Sequence, residues 1–214
     1  MTKKIIILIV SVLILSGCEH KDYFAENNMK PEITVSIDGE NYSKSINDSV
    51  KAGFSQLRAY YRVGDDNNQY SIKIDYSGLN VSENEIDRSI TIDSDSVINC
   101  TIKLIVEDPY GETDNCDINI TSFDNLAPVA KFQVTETSGY AVNISAAGSY
   151  DKDAKYGGYI EKYRYQILPE FDIQVNFNEI NYNFGRTGIY EIRVSVMDNQ
   201  GMWGDQEKAI VNIE

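Results

Sequence analysis

The sequence predicts an all-β protein made of two tandem antiparallel β-sandwiches. Three observations carry this. Apolar residues recur with period two over most of the chain, no stretch after residue 17 holds a 3.6-residue apolar stripe, and one hairpin pattern occurs twice at an offset of 90 residues.

In chain order, the opening "MTKKIIILIVSVLILSGCEH" belongs to neither sandwich. Lys3 and Lys4 form a basic start, and Ile5 to Leu15 is apolar apart from Ser11. That run is shorter than the roughly 20 residues needed to cross a hydrocarbon core, so it reads as a secretory signal over residues 1–17. Leu15-Ser16-Gly17-Cys18 resembles a bacterial lipobox, which implies cleavage before Cys18 and a diacylglyceryl thioether on its sulfur. With more than one acyl chain (palmitate among them) the anchor holds stably, whereas a single chain binds a membrane only marginally. Glu19, where an aspartate would imply retention at the inner membrane, makes the outer membrane the expected address. Residues 18–28 then form a polar, lipidated tether.

Two modules follow, at 29–124 and 126–214, joined around "SFDNLAP". In the first, Leu57, Ala59, Tyr61 and Val63 alternate, "GDDNNQ" turns, and Tyr70, Ile72, Ile74 and Tyr76 alternate back. In the second, Tyr163, Tyr165 and Ile167 alternate, then Ile173, Val175 and Phe177. Each module closes on the repeated hairpin, where Ile102, Leu104, Val106, Asp108 and Gly111 fall on Ile192, Val194, Val196, Asp198 and Gly201. Strands at intervals of about 8–12 residues in modules of this size predict sandwiches.

From Ala127 to Glu214 the chain resembles a polycystic-kidney-disease (PKD) domain, an immunoglobulin-like sandwich. The residues that carry the resemblance are "APVAKFQV", "GSYDKDAKYGGYIEKYRY" and "YNFGRTGIYEIRVSVMDNQG". Ser149, Asp151 and Asp153 fall on the family's Ser-x-Asp-x-Asp loop, and Gly188, Tyr190 and Asp198 on its Gly-x-Tyr and Asp-x-x-Gly positions. The match departs where the family has Trp and a Gly-Asp-Gly turn; here stand Tyr165 and Leu168-Pro169-Glu170. The first module shares only the final hairpin and reads as immunoglobulin-like, with a divergent PKD relative as the narrower reading.

Asp151 and Asp153 admit two roles. Together with Asp198 they are candidate calcium ligands, as the resemblance implies, but calcium takes 6–8 oxygens and the loop lacks the ligand spacing of an EF-hand. The reading favoured here is a structural turn, with the carboxylates accepting backbone N–H bonds and Gly157 and Gly158 supplying positive φ. On that reading there is no cofactor and no metal.

The function classes narrow quickly. Removal of residues 1–17 leaves 17 basic against 33 acidic residues, a formal charge of −16, which repels nucleic-acid phosphates and anionic headgroups. Membrane attachment is therefore expected through the lipid alone. The one histidine, His20, sits in the tether, so Ser-His-Asp, Cys-His and histidine-zinc constellations are not available, and no enzymatic activity is expected. Cys100 and Cys116 lie in phase with the apolar face of the first module's hairpin. Folding at "DPYG" separates them by three or four residues, roughly 10–13 Å, beyond the ~7 Å Cα limit for a bridge; buried free thiols are expected. Most of the 15 tyrosines sit in strand phase as core, with Tyr190 placed as a tyrosine corner. Trp203, just after the "DNQG" turn, is the candidate ligand-binding residue, with packing as its other role. Asp48-Ser49-Val50 and Asp95-Ser96-Val97 resemble the Asp-Ser/Thr-aliphatic sequon at which some gut bacteria attach O-glycans to exported proteins. The sequence thus leads to a non-catalytic, lipid-anchored envelope protein that binds an extracellular glycan or a surface protein, or else to a structural or adhesive spacer.

Overall fold

Period-two alternation places one face of each strand in a core and the other in water, and the computed structural model follows that rule in most strands, while Ile173 is exposed and Phe177 falls in the bend after its strand. The structure describes residues 28–214 except 67 and 170, together with the backbone of Lys4–Ile7. Cys18, His20 and most of the signal segment lie outside the described residues. The chain divides into two units, residues 1–124 and 125–214.

In the first unit the strands are β1 (Lys4–Ile7), β2 (Glu32–Ser36), β3 (Ser45–Lys51), β4 (Leu57–Gly64) and β5 (Ser71–Tyr76), then β6 (Asn80–Asn84), β7 (Ser89–Asp93), β8 (Asn99–Glu107) and β9 (Thr113–Phe123). They form one sheet in the order β1-β5-β8-β9-β3 and a second in the order β2-β4-β7-β6. Ile33, Val35, Ala59, Ile90 and Ile92 from one sheet meet Ile74, Ile102, Leu104, Val106, Ile118 and Ile120 from the other. Each of the valine, leucine and isoleucine side chains contributes about 1.5–3 kcal/mol by leaving water.

One expectation is corrected here. "GDDNNQ" does not close a hairpin: β4 pairs with β2 and β7, while β5 pairs with β1 and β8, so the link crosses from one sheet to the other. Both strands keep the predicted alternation because each turns its apolar face to the same core. A further departure is that β3 runs parallel to β9. Period two alone does not tell a parallel from an antiparallel neighbour.

In the second unit the strands are β10 (Gln133–Ser138), β11 (Ala141–Ser145), β12 (Ile160–Ile167), β13 (Phe171–Val175), β14 (Glu179–Asn183), β15 (Gly188–Asp198) and β16 (Glu207–Ile213). The sheets are β10-β11-β14 and β13-β12-β15-β16, all antiparallel. Val142 and Ile144 of the first face Tyr165, Ile167, Ile192 and Val194 of the second. Phe171, Tyr182, Phe184 and Tyr190 extend this core as a chain of ring contacts with centroids 4.1–5.0 Å apart. The Tyr190 hydroxyl donates to the Arg186 carbonyl at 3.2 Å, the tyrosine-corner bond. Tyr165, where the resembled family has Trp, is wholly buried. Tyrosines are less uniformly core than expected: Tyr110, Tyr140, Tyr150 and Tyr159 stand at the surface, on loops or at strand ends.

Candidate ligand-binding site

The two repeated hairpins are built alike, atom for atom. Asp198 Oδ1 accepts from the N–H groups of Gln200 and Met202, both at 2.9 Å, and Asp108 Oδ1 accepts from those of Tyr110 and Glu112 at the same distance. Gly201 and Gly111 each donate N–H to the carbonyl of their aspartate, 3.1 Å away, with φ at +87°. Only glycine adopts that conformation without strain, which is why Asp-x-x-Gly recurs.

The second carboxylate oxygen shows what sequence reasoning missed. Asn125 Nδ2 donates to Asp198 Oδ2 at 2.6 Å, and Asn28 Nδ2 donates to Asp108 Oδ2 at 2.5 Å. In each unit, then, an asparagine on the entering chain is tied to the closing hairpin, across 73 residues in one case and 80 in the other. Both aspartates are buried, Asp198 completely. Burial pushes the Asp108 carboxyl up, but the bonds from Asn28, Glu112, Tyr110 and Gly111 outweigh it and hold the group below the usual carboxylate range.

The Asp151–Asp153 loop is packed against its own backbone. Asp153, with no exposed surface, accepts from the Leu126 N–H at 2.9 Å, and the Asp153 N–H donates weakly to Asp151 Oδ1 at 3.4 Å. A 3₁₀ turn over Ala154–Tyr156 follows and ends on Gly157 at φ +91°. Gly158 has a different role from the one expected. Its φ is not positive; instead, a Cβ there would collide with Asp153 Oδ1 and stand 2.6 Å from Asp151 Oδ2, so glycine is required by close approach. The fold thus brings Asp151 and Asp153 together. It does not gather them with Asp198 into a metal-competent group, since no cluster of three or more His, Cys, Asp or Glu occurs among the described residues.

Trp203 projects from the Asp198 hairpin. It bridges Met197, which pairs with Lys162 on β12. Directly opposed residues point to the same side of a sheet, and Val196 next to Met197 is buried in the core. Trp203 therefore lies on the outer face of β12–β15, with 36 % of its surface exposed. Its mounting is stiff: the Gly204 N–H donates to the Val196 carbonyl at 2.9 Å, and a Cβ on Gly204 would strike the Pro128 carbonyl oxygen. Beside this row a groove of about 500 Å³ is lined by Tyr159, Glu161, Lys162, Gln174 and Asn176.

In the first unit, Cys116 faces Leu104 and Cys100 faces Ile120, and neither thiol is in a disulfide. Burial pushes the Cys116 thiol up to about 12. Cys100 is less enclosed than expected and lines a groove of about 540 Å³ on the sheet with Asn47, Ser49, Asn99, Thr101 and Asn119. Ser49 is half-buried on β3, whereas Ser96 is exposed in the loop after β7.

No protein-family model matches the chain, and no curated protein matches it. Among solved structures, it is similar to the PKD1 domain of Vibrio anguillarum Epp, with 23 % identity over 42 % of this chain and 96 % of that one, at a TM-score of 0.36. The fibronectin(III)-like modules of Clostridium thermocellum CbhA are similar over 84 % of this chain and 94 % of theirs, with 14 % identity and a TM-score of 0.35. SGBP-B of the Bacteroides ovatus mixed-linkage glucan utilization locus, in complex with a mixed-linkage heptasaccharide, is similar over 87 % of this chain and 48 % of its own, at 13 % identity and TM-score 0.32. Likenesses of this size say nothing about what this chain binds.

Proposed function

We propose that the chain is a lipid-anchored protein of the bacterial envelope, held by Cys18 in the outer membrane, whose sandwiches form a non-catalytic binding module for an extracellular glycan or a surface protein. The observation that carries the reading is Trp203: the only tryptophan in the chain, set outward on a sheet face by a hairpin whose backbone donors are bound to a buried carboxylate. A rigid exposed indole presents a flat apolar face that needs little ordering on binding, which suits the ring faces of sugars. The order of charged start, apolar run, small pair and Cys18 supports the anchor.

The test uses the full-length protein on a glycan array. Specific binding that disappears in Trp203→Ala is the expected outcome, while silence over the whole array leaves the spacer role. For the anchor, Cys18→Ala should abolish labelling by a fatty-acid analogue, and unchanged detergent partitioning of that variant would remove the lipoprotein reading.

A further inference from the structure

The outward positions of the sheet β13-β12-β15-β16 have a charge opposite to that of the chain. Against 33 acids and 19 bases overall, the outward strand positions carry Lys162, Arg164, Arg193 and Lys208 against Asp172 and Glu191, and Glu214, just past β16, accepts from Asn212 on the same side. The two strand acids are already spent inside the sheet. Asp172 takes a bidentate pair from Arg164, at 2.9 and 2.5 Å, and Glu191 accepts from Arg193 at 2.5 Å. Lys162 and Lys208 make no ion pair among the described residues, and both are exposed.

The register sets these groups in rows. Met197 is flanked by Lys162 on one side and Trp203 on the other, and Asn176, just past the end of β13, lines the same groove as Lys162. Gln166, Arg193 and Lys208 form a parallel row two steps away, with Gln206 Nε2 bonded to Gln166 Oε1 at 2.6 Å. At about 4.8 Å between strands, the row from Lys162 to Trp203 crosses about 10 Å, a length suited to a short oligosaccharide. Amides offer donors and acceptors to hydroxyls, the indole offers a stacking face, and the two lysines offer unneutralised charge. Glu161 lies on the groove's margin at the β12 bulge.

We propose that this face binds an acidic oligosaccharide, carboxylated or sulfated, with Lys162 and Lys208 as its charge contacts and Trp203 as its stacking platform. The inference rests on the binding-module reading and names the ligand class and the face. A compensated β-sheet surface would pair its lysines as it pairs its arginines; this one leaves Lys162 open in the row of Trp203 and Lys208 open in the row two steps along the sheet.

The experiment titrates detergent-solubilised full-length protein with four probes: an oligogalacturonate, a heparin-type oligosaccharide, cellohexaose, and mixed micelles containing phosphatidylglycerol. The expected result is binding of at least one acidic oligosaccharide that weakens with added salt. That binding should fall on the order of tenfold in the Lys162→Gln/Lys208→Gln double variant. It should also fall in Trp203→Ala and stay unchanged in Lys103→Gln, a single charge loss on the first unit's sheet. Equal loss in Lys103→Gln, no loss in the double variant, or binding of the anionic micelles that falls equally in the double variant would overturn the inference. Binding of cellohexaose alone, lost in Trp203→Ala, would overturn the acidic class while leaving the binding module intact. Silence toward every probe and across the array, with native circular dichroism, would remove both.

Discussion

Replacing Asp198 by alanine removes one buried carboxylate and leaves three donors without their acceptor: the N–H groups of Gln200 and Met202, and Asn125 Nδ2. A bond to a charged group contributes about 1.5–3 kcal/mol net, and a buried donor left unsatisfied costs about 1–3 kcal/mol. The three bonds act on one side chain and do not add fully, so the loss is about 3–5 kcal/mol. Residues 125–214 hold roughly 5–13 kcal/mol at ~0.05–0.15 kcal/mol per residue, so the unit stays folded but is much weakened. The only tryptophan, Trp203, sits on the affected hairpin, so its fluorescence during urea unfolding of the full-length protein reports this unit. With a urea slope of about 1–2 kcal/mol per molar, the midpoint should fall by about 1.5–5 M. Asp198→Asn, which keeps an acceptor for the backbone donors, should fall between wild type and alanine. A midpoint shift under about 0.5 M would show that the carboxylate does not hold the hairpin. Millimolar calcium or a chelator should leave all curves superimposed. An ion bound only to the folded state at about 100 times its dissociation constant adds roughly 2.7 kcal/mol, and such a rise, absent from Asp198→Ala, would refute the turn in favour of a metal site.

The twin hairpin yields a pH test. The Asp108 carboxyl is held below its ordinary value, near 3.9 in an unfolded chain, so its contribution is full above that value and is lost as pH falls through the folded one. Urea unfolding at pH 7 and pH 3 should show a smaller acid loss for Asp108→Asn than for wild type; equal losses would contradict the assignment. The thiols yield a third. Because the thiolate is the reactive form and burial raises the Cys116 thiol to about 12, iodoacetamide at pH 8 should label Cys100 first and Cys116 only after denaturation. Peptide mass spectrometry reads both, and early labelling of Cys116 would show that its strand opens locally.

Much of the site was legible because the signals were local. Asp-x-x-Gly is a four-residue instruction, and both copies form the same hairpin because aspartate and glycine act on backbone groups two to four residues away. Tyr190 was placed for the same reason, its partner Arg186 lying four residues upstream. Asn28 and Asn125 gave no such signal, since an asparagine in a polar linker looks like any other turn residue until a hairpin 73 to 80 residues later is folded against it. Gly158 was misread on similar grounds. Next to Gly157 it looked like a second conformational hinge, but what excludes a side chain there is the pair of carboxylate oxygens in front of it.

By itself, then, the sequence determined the β class, the two-fold repeat, which face of each strand is apolar and where the two Asp-x-x-Gly hairpins turn, because period two and turn chemistry act over a few residues. Only the tertiary structure decided which strands became neighbours. It sent β4 and β5 to opposite sheets, laid β3 parallel to β9, and ranged Lys162, Met197 and Trp203 in one row. Alternation tells a strand which side to bury but not which edge to join. That choice is made by the packing of the whole core, and with it the charge and chemistry of the face left outside.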